Sequence, residues 1–241
     1  MKGQFLKRSA VSAATKAQMY QLFCSQFDNV SMQQFVADLD EKNWVLLLHN
    51  KAGDLIAFSS MHVYETRIDD RNVTLVYSGD TTVDSSTWSD SALSYNIMGA
   101  FSWLQRHYSA DRLYWFLLVS GYRTYRLLPV FSEFFYPRFD EPTPQSIQTM
   151  MNAMASERFG KNYDAESGIV RLDAPSVLKD GYVDIPENRL ADPNIAFFAE
   201  HNPGHLHGDE LLCFAELSES KLTRLGKRMW QKGQKLFPDD A

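Results

Sequence analysis

The sequence predicts an α/β (α+β) fold: a mixed, mostly antiparallel sheet with a central parallel strand pair and flanking helices. Three observations carry this. Residues 73–77 (VTLVY) have the β-branched and aromatic composition of a half-buried strand, and residues 112–119 (RLYWFLLV) form a short apolar run suited to a strand buried on both faces. Between them Leu93, Ile97, Phe101 and Leu104 recur three to four residues apart, the spacing of one amphipathic helix. A strand–helix–strand unit of this kind requires a right-handed parallel crossover. Residues 44–48 and 55–64, separated by the turn NKAGD, instead form an antiparallel hairpin.

The remaining elements follow in order. Residues 15–27 predict a helix with Met19, Leu22, Phe23 and Phe27 on one side. Ser31 is placed to cap a second helix through 41, carrying Phe35, Val36 and Leu39. The residues DDRN at 69–72 turn the chain into the central strand. There Gly79 marks a bulge or a close backbone approach, and residues 81–83 lead to the polar loop DSSTWSDS at 84–91. Ser89 or Asp90 fits the N-cap of the next helix. After Ser120-Gly121, a helix over 122–135 must kink or restart near Leu128. Pro129 removes a backbone hydrogen bond there and clashes with the carbonyl of Tyr125.

Residues 136–144 are irregular. Residues 145–159 predict a helix with Ile147, Met150, Met151 and Met154 as ordinary core filling, and 160–194 is loop-rich. Residues 195–200 (IAFFAE) and 211–217 (LLCFAEL) predict an antiparallel strand pair. Ser218 then caps a last helix that turns Leu222, Leu225 and Met229 inward. The expectation is one domain over 1–241, with an insertion at 141–194 and C-terminal strands plus helix at 195–232.

With 241 residues the chain can bury a full core, and the formal charge of −6 with scattered bases argues against nucleic-acid binding. No apolar run reaches membrane-spanning length, and the N-terminus lacks the apolar stretch of a secretion signal. Cys24 and Cys213 have no partner pattern; Cys213, inside an apolar strand, reads as an inert buried thiol. A reduced, cytoplasmic setting is the expectation.

The run of elements from 15 to 140 resembles the GNAT (N-acetyltransferase) superfamily. There, a bulged strand leads into a helix whose N-terminus holds the cofactor phosphates, and the next strand splays away. This sequence lacks the family's phosphate loop, Gln/Arg-x-x-Gly-x-Gly/Ala, having DSSTWSDS instead. The family's asparagine after the fifth strand and its tyrosine seven residues later fall on Ser120 and Leu127.

The resemblance implies an acyltransferase that moves an acyl group from a CoA or acyl-carrier-protein thioester to an amine. The acceptor would be a small amine or amino-acid-like molecule. Acyl-CoA or acyl-phosphopantetheine would be a cosubstrate, with no permanently bound cofactor. Val76 and Gly79 would border the thioester, Ser85, Ser86 and Thr87 would meet its phosphate, and Ser120 would hydrogen-bond a substrate. Because Asp84 and Asp90 disfavour an anion, the single phosphodiester of a carrier protein suits this loop better than a diphosphate.

Proton transfer requires acids and bases near the bulge. Asp80 directly follows Gly79, and Tyr122 and Tyr125 lie where a phenol could protonate a leaving thiolate. His205 and Glu210 are candidate bases at the sheet edge. Two other readings stand beside this one. In one, the chain is a GNAT-shaped protein that binds a ligand or partner without catalysis. In the other, it is a metal-dependent hydrolase using His205, His207 and Asp209.

Overall fold

The computed structural model describes residues 1–68, 71–87, 91–108 and 112–238. Chain order runs β1 (Lys2–Lys7), α1 (Ala13–Gln26), β2 (Phe27–Asp28), α2 (Met32–Asp40), β3 (Trp44–His49), β4 (Leu55–Ile68) and β5 (Arg71–Val83). It continues through α3 (Ala92–His107), β6 (Arg112–Val119), α4 (Tyr122–Tyr125), α5 (Leu127–Phe131), β7 (Phe135–Tyr136) and α6 (Gln145–Phe159). The last elements are β8 (Tyr163–Asp164), β9 (Ile169–Val170), β10 (Val177–Leu178), α7 (Pro193–His201), β11 (Glu210–Glu216) and α8 (Arg224–Gln234).

One sheet has the order β1-β3-β4-β5-β6-β11-β9-β8, with β7 also paired to β11; β2 and β10 form a separate pair. Among the described strands β5 and β6 pair in parallel, and every other ladder is antiparallel. The mixed sheet with a central parallel pair is therefore the fold class that the sequence predicts.

The sheet is covered on both faces. Val76, Trp115 and Leu117 point into a core shared with Ile97 and Phe101 of α3 and Met229 of α8. Leu75, Tyr77, Phe116 and Phe214 face the other way, where Met151 and Ala155 of α6 close over them. On that second face Val45, Leu47 and Phe58 pack with Met19 and Phe23 of α1 and Phe35 and Leu39 of α2. Each of these large side chains contributes about 1.5–3 kcal/mol by leaving water.

Local chemistry sets several boundaries. The Ser12 hydroxyl accepts the Thr15 N–H at 3.1 Å, so α1 begins at Ala13, two residues earlier than expected. Ser31 caps α2 in the same way through the Gln34 N–H. The helix expected over 122–135 is split at Arg126. Its second part ends at Phe131, and Phe135–Tyr136 is a short strand. The break precedes Pro129 by one turn, as the lost hydrogen bond and the carbonyl clash require. The caps expected at Ser89 or Asp90, and the turn at Asp69-Asp70, lie outside the described residues.

Three expectations are corrected. Residues 195–200 are not a strand but lie in helix α7, which Asp192 caps through the Asn194 N–H and Pro193 opens. β11 therefore pairs not with them but with β6. The last helix is capped by Thr223 rather than Ser218, and Leu225 points outward (42 % exposed), leaving Gly226, Met229, Trp230 and Gly233 on its buried face. The strand β1 was not foreseen. Within residues 141–194, α6 covers the sheet and β8 and β9 extend it beside β11.

Candidate active site

The site begins with a miscount between two strands. On β4 and β5, Ser59 faces Thr81 and Met61 faces Ser78, so Gly79 and Asp80 together oppose Ser60. One extra residue makes a bulge and bends its strand. The parallel ladder between β5 and β6 ends at Ser78 and Leu117. Beyond that rung β5 continues to Val83 bonded to β4, while β6 continues to Val119 bonded to β11. Each strand stays with its outer neighbour, and a gap opens between them.

The gap leads into a cavity of about 1340 Å³ lined from both faces of the sheet. Ile97, Phe101 and Trp115 line it on the α3 side; Tyr77, Phe116, Met150 and Met154 line it on the α6 side. Strand order, bulge and parted parallel pair together decide the architecture. The chain has a GNAT-like fold.

No protein-family model and no curated protein matches the chain. Among solved structures, it is similar to a probable N-acyltransferase from Enterococcus faecalis V583 (11% identity, 88% of this chain and 65% of that one, TM-score 0.42). It is also similar to a putative phosphinothricin N-acetyltransferase (11% identity, 90% of this chain and 99% of that one, TM-score 0.41). A third is the GNAT family N-acetyltransferase YhbS from Escherichia coli in complex with CoA (12% identity, 50% of this chain and 64% of that one, TM-score 0.35). At these values the fold assignment rests on the topology described above.

In this GNAT-like fold, Gly79, Asp80, Ser120 and Glu210 all line the cavity. Burial pushes the Asp80 carboxyl up to about 6, with the Lys42 ammonium opposing and the Asp38 carboxylate adding to the rise. Burial likewise pushes Glu210 up to about 7, reinforced by the Asp80 charge and opposed by a hydrogen bond from the Ser120 hydroxyl. Two carboxyls in one recess are thus raised toward neutrality, the range that suits proton-transfer groups.

Three further side chains complete this wall. Lys42, just beyond α2, is buried and donates from Nζ to the Asp38 carbonyl at 2.9 Å. The Arg158 guanidinium stacks 4.0 Å above the Tyr77 ring centroid and pairs with Glu41 at 2.9 Å. His62 lines the cavity, and burial, then Arg158 and Lys42, hold its pKa low and the ring neutral. His62 Nδ1 and Ser60 Oγ are buried with no hydrogen-bond partner among the described residues. Such atoms call for a ligand or water.

None of these three was foreseen, and Lys42 and Arg158 left no local trace: each reads as a charge at a helix end. For His62 a signal existed. Ser60, His62 and Tyr64 alternate with the apolar Met61 and Val63, which sets polar groups on one face.

The other expected residues lie elsewhere. Val76 is paired opposite Trp115, inside the closed part of the ladder, with its side chain in the core. Tyr122 is buried under the Arg123 guanidinium, 4.7 Å from its ring centroid. Tyr125 is fully buried and donates its hydroxyl to the Pro137 carbonyl at 2.8 Å; burial drives its pKa far up. Neither tyrosine lines the cavity.

Ser85, Ser86 and Thr87 form a tight turn whose hydroxyls are engaged. Ser86 N and Oγ both donate to Asp84 Oδ1, Thr87 Oγ1 donates to the Asp84 carbonyl, and Ser85 Oγ receives the Tyr182 hydroxyl. The two bonds from Ser86 hold the Asp84 carboxyl below its usual range, so a negative charge sits where a phosphate would approach. This turn does not fit a diphosphate.

His205 is buried, with Nδ1 2.7 Å from the Asn202 carbonyl oxygen and its ring against Phe198, away from the cavity. Asp209 is paired with Arg171 at 3.1 Å. No group of three or more His, Cys, Asp or Glu side chains among the described residues is arranged to hold a metal ion. No helix among them is long and apolar enough to cross a membrane.

Proposed function

We infer that the protein is a single-domain, cytoplasmic acyltransferase of GNAT type, carrying an acyl group from an acyl-CoA or acyl-phosphopantetheine thioester to a small amine. The observation that carries this is the gap beyond Ser78 and Leu117, with Asp80 and Glu210 in its wall. The cosubstrate supplies an activated carbonyl and a thiolate leaving group; the rest is the work of this chain.

Gly79 provides the close approach, since a side chain there would collide with Lys42 and Ser60. The extra residue of a bulge is left out of the ladder, so its amide is free to donate to a carbonyl oxygen and hold the charge that develops there. Asp80, next to that amide, is the base that takes the proton from the acceptor nitrogen. Glu210, held by Ser120, is the second carboxyl of the recess and orients the amine. Arg158 has donors beyond those engaged by Glu41 and Tyr77, which suits an acceptor carrying a carboxylate, as an amino acid does.

The slot admits a slender arm, whereas the 85–87 turn disfavours a highly charged end. An acyl carrier protein is accordingly the favoured source of the thioester over free CoA. The test is to incubate the protein with acetyl-CoA, longer acyl-CoAs and acyl carrier protein, each with a panel of amines and amino acids, and to follow thiol release. Release that depends on the amine supports the assignment; no release and no donor binding across the panel overturns it.

The satisfied turn at Ser85–Thr87 favours one other reading, a GNAT-shaped protein that holds a ligand without turnover. Native mass spectrometry separates the two: a tightly retained ligand that is not a thioester or thiol supports this second one.

A further inference from the structure

Lys42 reaches from the end of α2 across the bulge. A Cβ placed on Gly79 would stand 2.5 Å from Lys42 Cε and 3.2 Å from its Nζ, so the amine lies directly over the point where β5 leaves β6. The residue is 6 % exposed. Its Nζ makes a 2.9 Å bond to the Asp38 carbonyl, sits 5.5 Å from the Tyr77 ring centroid, and lies within electrostatic reach of the Asp80 carboxylate. Burial pushes its pKa down from that of an ordinary lysine, with the Asp80 charge opposing and Arg158 adding to the fall. A lysine desolvated in this way gives up its proton, and so becomes a nucleophile, more readily than a hydrated ammonium does.

An amine poised over the gap, in the field of a base, is what an acceptor must become on binding. We propose that Lys42 is a self-acylation site: when a thioester lies in the gap and no acceptor is present, Lys42 Nζ takes the acyl group and holds it as an amide. The inference rests on the reading of the gap as a thioester site.

The step balances within the groups named. Asp80 takes one proton from the Nζ ammonium and frees its lone pair; Nζ then bonds to the thioester carbonyl carbon, the C–S bond breaks with its electron pair leaving on sulfur, and nitrogen sheds a second proton. The thiolate takes up that second proton as it departs. The product places a neutral amide above Gly79 and takes from Asp80 the cation that opposes the rise in its pKa. Acylated protein therefore has a blocked acceptor position and an Asp80 that ionises only at higher pH. A free acceptor would compete with Lys42 for the acyl group and so protect the enzyme from this modification.

The experiment uses the full chain without acceptor, incubated with acetyl-CoA, acetyl-phosphopantetheine or acetyl carrier protein, followed by intact mass and tryptic mapping. The expected result is a gain of one acetyl group per chain and loss of tryptic cleavage after Lys42. The gain is absent in Lys42→Arg and in heat-denatured protein, and it is reduced by added acceptor amine. Transfer to amines with Lys42 unmodified overturns this inference and leaves the acyltransferase assignment standing. Acetylation spread equally over exposed lysines such as Lys51, in native and denatured protein alike, also overturns it. Neither thiol release nor mass gain with any donor overturns both.

Discussion

Trp115 Nε1 donates to Ser78 Oγ at 2.9 Å, with both residues buried. Ser78 belongs to the last rung of the parallel ladder, so this bond clasps β5 to β6 at the edge of the gap. Ser78→Ala would leave the indole N–H buried and unpaired, a loss of about 1–3 kcal/mol. Urea unfolding should report it, and Ser78→Ala with Trp115→Phe should cost less than the sum of the single changes.

Removing the base should slow chemistry rather than donor binding. Asp80→Asn is expected to lower kcat by about 10²–10⁴-fold with little change in the KM for the thioester. In the unaltered protein, kcat/KM should rise with pH through about 6, where Asp80 ionises, and level off above it. A flat pH profile, or a substitution without effect, would remove Asp80 from the role.

The same carboxyls set a pH dependence of stability. Asp80 and Glu210 have folded-state values raised to about 6 and about 7, so the folded chain binds more protons than the unfolded one. Their contribution is fully present below the unfolded values of roughly 4 and is lost as pH rises through the folded ones. Glu210→Gln should therefore raise Tm at pH 8 relative to the parent, with the difference vanishing toward pH 4.

Tyr125→Phe tests the phenol that the GNAT resemblance places on the leaving group. The hydroxyl is spent on the Pro137 carbonyl at 2.8 Å, away from the cavity. Turnover should be unchanged while stability falls by about 1 kcal/mol.

Helices α3 and α8 meet at two glycines. A Cβ on Gly99 would stand 2.7 Å from the Gly233 carbonyl oxygen, and one on Gly233 would stand 2.5 Å from the Gly99 nitrogen. Both obstacles are backbone and cannot swing aside. Gly233→Ala should destabilise by about 1–3 kcal/mol, as over-packing does, visible as a lower urea midpoint.

The centre of the fold was legible because its signals are local. VTLVY, the 3.6-residue stripe on α3 and RLYWFLLV each name their own element, and Gly79 marks the bulge. IAFFAE misleads because a short apolar run has no period to separate helix from buried strand. Asp192-Pro193, a cap followed by an N1 proline, was the better guide. KGQFLK is an edge strand with polar flanks, and nothing in it announces β1. In the site, Asp80 could be found from the glycine before it, and Glu210 from its place at the mouth of a strand. Lys42 and Arg158 arrive from α2 and α6 through tertiary packing, which no local pattern records.

The void between β5 and β6 has walls contributed by opposite sides of the sheet. Two molecules can therefore meet at Asp80 without queuing along one route. A bound thioester need not bar the entry of the amine, nor the amine that of the thioester. Initial velocities measured against both should give intersecting reciprocal lines, the mark of a ternary complex, and dead-end analogues of each should show that either can bind first.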